Sequence, residues 1–239
     1  MRNNFDRSII EKMGASSATY DQGLRNYMLG VYNYMALGLA LTGLVAFWVS
    51  TSPTILHAIF GTGLHYVVML APLGFVLFLG FRIQAMSLST AQTVFWAFAM
   101  TMGLSLSSIF LVYTGASIAK TFFITAGTFA AMSLYGYTTQ RDLSAMGSFL
   151  FMGLIGIILA SLVNLFLRSS ALEFAVSVMG VFIFTGLTAF DTQMIKGLYY
   201  SGDDSTAMGK KSIMGALQLY LDFINLFVYL LRFIGDRRN

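Results

Sequence analysis

The chain has 239 residues, of which 57% are hydrophobic and 10% charged, with a mean hydropathy of +0.74 and a formal net charge of +4. Soluble domains carry about 25% charged residues, so this composition excludes an ordinary soluble domain. The 14 Lys and Arg are scattered between apolar runs with no phosphate-tracking stripe, and there are no cysteines, which excludes a nucleic-acid surface and any disulfide or thiol chemistry.

Residues 1–25 hold Asp6, Glu11 and Asp21 among four basic residues and no early apolar run, so they read as a polar, disordered tail rather than a secretory signal. Seven apolar segments follow: Tyr27–Val49, Ile55–Phe81, Leu88–Tyr113, Lys120–Thr138, Ala145–Leu167, Leu172–Ile195 and Ser212–Ile234. Each is close to or longer than the roughly 20 residues that cross a bilayer as a helix. Connections are short, except for the polar stretch Lys196–Lys211. Residues 26–235 therefore form one all-α, polytopic integral membrane domain of seven transmembrane helices, followed by a short tail, 236–239. Its first partner is the lipid bilayer, and no cofactor is expected.

Charge placement orients the bundle. With the N-terminus inside, the inner side carries Arg2, Arg7, Lys12, Arg25, Arg82, Arg141, Lys196, Lys210 and Lys211. The outer side carries Lys120, Arg168, Arg232, Arg237 and Arg238. Nine against five favours a cytoplasmic N-terminus under the positive-inside rule. The basic C-terminal end pulls the other way and leaves a re-entrant last segment open. Ala36/Ala40, Gly103/Ser107, Ala126/Ala130 and Gly156/Ala160 have the spacing that lets membrane helices approach closely. No internal repeat of the kind seen in inverted-repeat transporters is visible.

The chemistry concentrates in the last two segments. Asp191 and Asp222 lie deep in apolar sequence, where a carboxylate costs about 2.5–3.5 kcal/mol on insertion scales and persists mainly where it functions. Gly215, Gln218, Asp222, Asn225 and Tyr229 fall at i, i+3, i+7, i+10 and i+14, a thin polar stripe on one helix face, and Thr185, Thr188 and Asp191 follow at i, i+3 and i+6. Such stripes face a bundle interior or a wet cavity. At 1.5 Å per residue, Asp222 lies about 15 Å beyond Ser212 and Asp191 roughly 8–13 Å from the same membrane face, so the two can meet. Two carboxyl groups sharing a dry site cannot easily both ionise and would titrate as a unit. Arg82 ends the second segment on the same side and is either a clamp for Asp191 or a snorkelling interfacial arginine.

These residues resemble the transmembrane Bax inhibitor motif family. The resemblance is carried by FTGLTAFDTQMIK (Phe184–Lys196), by ALQLYLDFINLFVYLLRFIG (Ala216–Gly235) and more weakly by GFRIQAMSLSTAQ (Gly80–Gln92). It covers most of residues 25–235, and the style of the chain looks bacterial. It implies a seven-helix bundle with the last helix central, acting as a pH-sensitive calcium leak in a plasma (inner) membrane. It further implies a di-aspartyl sensor at Asp191 and Asp222, an arginine latch at Arg82, and calcium and protons as the species handled. Gln218, Asn225, Thr188 and Tyr229 are the supporting polar residues. Some relatives add an acid on the second helix, but Ile55–Phe81 has none, so Asp191 and Asp222 would hold Ca²⁺ weakly.

Other readings use the same acids. A proton-coupled cation exchanger would carry protons on them. An intramembrane aspartyl protease would use them as its dyad. That enzyme needs Gly-x-Gly-Asp where Leu219 and Leu221 stand, and a Pro-Ala-Leu motif where the only prolines are Pro53 and Pro72, so no enzymatic activity is expected. A serine protease fails because the two histidines, His57 and His65, sit around an outer hairpin, and a retinal protein fails because residues 212–234 hold no lysine. A scaffold for another membrane protein is a further option.

Overall fold

The computed structural model describes residues 21–238; the polar tail expected over residues 1–25 lies, as far as residue 20, outside the described residues. The helices are α1 (Arg2–Ser50, described from Asp21), α2 (Pro53–Phe60), α3 (Leu64–Arg82), α4 (Leu88–Leu106), α5 (Ile109–Val112), α6 (Gly115–Thr138), α7 (Ser144–Leu167), α8 (Ser170–Gly197) and α9 (Ser205–Ile234). Seven spans are long and apolar enough to cross a bilayer, formed by α1, α3, α4 with α5, α6, α7, α8 and α9. No β-strand occurs among the described residues, only an isolated bridge between Tyr113 and Arg237.

Local chemistry sets the boundaries. Ser87, Thr114, Ser169 and Asp204 each accept a backbone N–H from the first turn of α4, α6, α8 and α9, satisfying donors that would otherwise stay unpaired. The Asp204 cap starts α9 seven residues before Ser212, because Lys210 and Lys211 dilute hydropathy without breaking the helix. The single segment Ile55–Phe81 is in fact two helices. Pro53 occupies the first turn of the short α2, and the Gly61-Thr62-Gly63 run interrupts the chain before α3. Pro72 lies inside α3 without ending it. The last segment is one uninterrupted helix rather than re-entrant.

The start of α1 and the α3–α4, α6–α7 and α8–α9 connections share one end of the bundle, called here the N-terminal face. The C-terminus and the other connections occupy the opposite face. There Asp236–Arg238 is pinned beside the α5–α6 turn: Thr114 N donates to the Asp236 carbonyl at 3.1 Å and Arg238 N to the Val112 carbonyl at 2.8 Å.

Helix α9 is the axis, with 67% of its most apolar stretch buried against 6–39% for the other spans. It packs on α8, α1, α6, α4 and α3. Tyr220 is fully buried, its hydroxyl 2.7 Å from Thr42 Oγ1 and its ring 5.1 Å from that of Phe98. Large side chains such as Phe166, Phe81 and Phe123 point outward, as expected of surfaces facing lipid.

Close helix approach depends on particular glycines. A Cβ on Gly103 would lie 2.7 Å from the Thr42 carbonyl, so this small residue does bring α4 against α1. Gly156 has nothing within 4 Å and makes no helix crossing, and Ala126 and Ala130 line a groove. The tightest crossing, unmarked by that spacing, is Gly136 on α6, where a Cβ would lie 2.1 Å from the Ala189 carbonyl of α8. Gly136→Ala should destabilise the protein by about 1–3 kcal/mol through overpacking, whereas Gly156→Ala should be neutral; thermal denaturation of the two variants in detergent checks this.

Candidate functional site

The segment Phe184–Lys196 distributes its polar groups to different neighbours. Asp191 and Thr192 lie on the buried face of α8. Thr192 Oγ1 is 3.0 Å from Ser133 Oγ, which lies 2.7 Å from the Tyr32 hydroxyl, joining α8, α6 and α1. Gln193 accepts from Leu143 N at 2.9 Å and donates to the Arg141 carbonyl at 2.8 Å, fixing the α6–α7 turn. Lys196 Nζ donates to the Tyr137 carbonyl at 2.8 Å. These anchors hold α8 in register and leave Asp191 facing α9.

On α9, Gln218, Asp222, Asn225 and Tyr229 line one cavity together with Asp191, as the i, i+4, i+7 and i+11 spacing from Gln218 requires. Gly215 does not reach it: a Cβ there would lie 2.9 Å from Ile195 Cγ2, so this glycine seats α9 on α8. Thr188 is also absent from the lining. It is fully buried and donates to the Phe184 carbonyl of its own helix at 2.7 Å.

The cavity has a volume of about 450 Å³. Sequence reasoning found the α8 and α9 walls but not the third, which comes from α7 through Gly147, Phe151, Leu154 and Ile158. Gly147 was one available signal. A Cβ there would lie 2.5 Å from the Phe190 ring, so glycine is what lets α7 close on α8.

Asp191 is 6% exposed and Asp222 4%, and they are the only acidic or basic side chains in the buried interior of the described residues. Asp191 is in polar contact with Asp222 and with Gln218. Asp222 Oδ2 is buried with no hydrogen-bond partner, and Asn225 donates back to the Leu221 carbonyl at 2.8 Å rather than to the acids. The site is thus rich in acceptors and poor in donors. A proton or a cation between the carboxyl groups would supply the missing positive charge.

Arg82 stands at the end of α3, exposed, and forms no ion pair with Asp191. Among the described residues the ion pairs are Lys211–Asp203 at 2.6 Å and Arg237–Glu173 at 3.2 Å. Asp142 is exposed in the α6–α7 turn, where the Ser144 hydroxyl and N–H hold its carboxyl below the usual range. His57 and His65 lie on the opposite face, with His65 Nδ1 2.7 Å from the Thr62 carbonyl. No cluster of three or more His, Cys, Asp or Glu that could cage a metal occurs among the described residues.

Residues 24–239 match the family model described as inhibitor of apoptosis-promoting Bax1. An uncharacterized protein of Rickettsia prowazekii is 55% identical over 94% of this chain and 95% of its own length. The inner membrane protein YbhL of Escherichia coli K12 is 50% identical over 90% of this chain and 94% of its own. An uncharacterized protein of Caulobacter vibrioides is 45% identical over 99% of this chain and 100% of its own. The resemblance seen in the two acidic segments extends over the whole transmembrane domain.

The donor deficit predicts a stability effect. Asp222→Asn replaces an unpartnered acceptor with an amide able to donate to Asp191, and should stabilise the fold at neutral pH by about 1 kcal/mol, read as a raised melting temperature in detergent.

Proposed function

The chain belongs to the Bax inhibitor family of membrane proteins, and from that premise together with its buried carboxyl pair we propose that it is a pH-sensitive calcium leak channel of the bacterial inner membrane. The observation that carries this reading is the meeting of Asp191 and Asp222 in a cavity where Asp222 Oδ2 lacks a donor. An acceptor pair with a free oxygen attracts protons and divalent cations alike, so the two compete for it. Calcium held tightly takes 6–8 oxygen ligands. Two carboxyl groups with the Gln218 and Asn225 amides nearby give a weak, leaky site, and permeation needs an ion to leave as readily as it enters.

Orientation follows the charge count, with the N-terminal face cytoplasmic. Arg237, one of the basic residues opposing that assignment, is paired with Glu173, which reduces its weight. The inner membrane itself is suggested by the printed name of the E. coli relative.

Arg82 is the latch in this reading. It stands on the same face of the bundle as the end of α8, on a helix with Pro72 in its interior and few contacts to α9. An inward swing of α3 that carried the guanidinium to Asp191 would close the route, and withdrawal of Arg82 would release it. Protonation of Asp191 would loosen the latch, whereas protonation of both acids would remove the attraction for calcium. These effects have opposite signs, so flux should pass through a maximum as pH falls.

Ca²⁺ efflux from proteoliposomes tests the scheme. Asp191→Asn and Asp222→Asn should each flatten the pH profile, and Arg82→Ala should raise flux at the pH where the native protein is least active. Identical profiles in the native protein and all three variants would reject the reading. Flux strictly coupled to a counter-ion would replace the leak with an exchanger.

A further inference from the structure

A second cavity of about 550 Å³ lies between α7, α8 and α9 toward the opposite face, lined by polar groups that include Ser161, Asn164, Glu173 and Arg232. It and the carboxyl-pair cavity have two lining residues in common, Ile158 and Tyr229. Along α7 the two cavities together run from Gly147 to Leu165, a rise of roughly 27 Å at 1.5 Å per residue, against a hydrocarbon core of about 30 Å. The two cavities beside α9 thus together span nearly the full depth of a membrane and adjoin at one level. Tyr229 defines that level, about 10 Å beyond Asp222 along the helix.

The Tyr229 ring is held there from several directions. It stacks on Phe184 with centroids 5.7 Å apart and planes tilted by 22°. It lies against the bare backbone of Gly180, where a Cβ would be 2.5 Å from the ring. Its hydroxyl is in polar contact with Ser161, and the Arg232 guanidinium lies 5.8 Å from the ring centroid. The clamped ring stands where the two cavities share their lining, so its removal would join them.

We propose that Tyr229, seated on Gly180 and Phe184, is the partition that separates the carboxyl-pair chamber from the opposite face and so sets the basal closure of the ion route. This rests on the calcium reading for its functional meaning but not for its test. Because the chain has no cysteine, a thiol introduced at Asn225 is unique to the inner chamber and one at Asn164 to the outer. A small, charged methanethiosulfonate is added to oriented proteoliposomes on the side of the opposite face only.

Asn164→Cys should label rapidly in every background, reporting that the fold and outer chamber are intact. Asn225→Cys should label slowly with native Tyr229 and with Tyr229→Phe, and several-fold faster with Tyr229→Ala. It should also label faster with Gly180→Ala, whose methyl displaces the ring without removing it. Equal Asn225→Cys rates in all these backgrounds, with Asn164→Cys labelling intact, would overturn the partition. Faster Asn225→Cys labelling in Tyr229→Ala, with no Ca²⁺ efflux from the native protein or from Tyr229→Ala without an introduced thiol, would uphold the partition and remove the calcium reading.

Discussion

Two carboxyl groups placed in contact inside a low-dielectric bundle form the constraint around which the rest of this structure is arranged. Each loses its hydration on burial, and neither receives a basic partner in exchange. Such a pair is tolerated only where the surrounding helices leave space for a proton, water or a cation. Here that space is a chamber walled by three helices, with the Gln218 and Asn225 amides along its side. In the proposed function, the same contact that penalises the fold would give the site its sensitivity to charge.

Holding the pair in place requires rigid neighbours. The polar residues flanking Asp191 do not enter the chamber: Thr192 bonds across to α6, Gln193 to the α6–α7 turn and Lys196 to the end of α6. On α9, Tyr220 bonds to Thr42 of α1, and Phe223 packs its ring on Phe122 and Phe129 of α6. The α8 motif thus sends one polar side chain, Asp191, to the chamber and the others to the scaffold. Helix α9 instead turns Gln218, Asp222 and Asn225 to the chamber and its other faces to the scaffold. Glycines at the crossings permit this, with Gly136, Gly147 and Gly215 letting backbones approach to distances that a Cβ would forbid.

In the proposed scheme, function is divided between charge and sterics. In that scheme the acids respond to protons and cations, and Tyr229 bounds the space they line. Arg82 lies apart from both, exposed at the end of α3, so any part it plays in closing the route requires α3 to move. The loose packing of α3 against α9, compared with the extensive burial of α9 elsewhere, is consistent with such movement.

The helical membrane class, seven crossings and the inward turning of Asp191 and Asp222 were legible in the sequence, because the bilayer demands long apolar runs and lipid rejects isolated charge. The family was legible too, through the short segments around those acids. The break between α2 and α3 was hidden, since Gly61 and Gly63 scarcely lower hydropathy, and so was the early start of α9, because two lysines are compatible with helix but not with an apolar window. Only tertiary structure decided that Thr188 serves its own backbone, that Gly215 is a seat for Ile195, and that Arg82 stands apart from the acids. Only tertiary structure supplied α7 as the third wall and Tyr229 as the shared boundary of two chambers. Periodicity reports which residues share a face of one helix, whereas a cavity is made by the distances between helices, and those are set by packing that no single segment encodes.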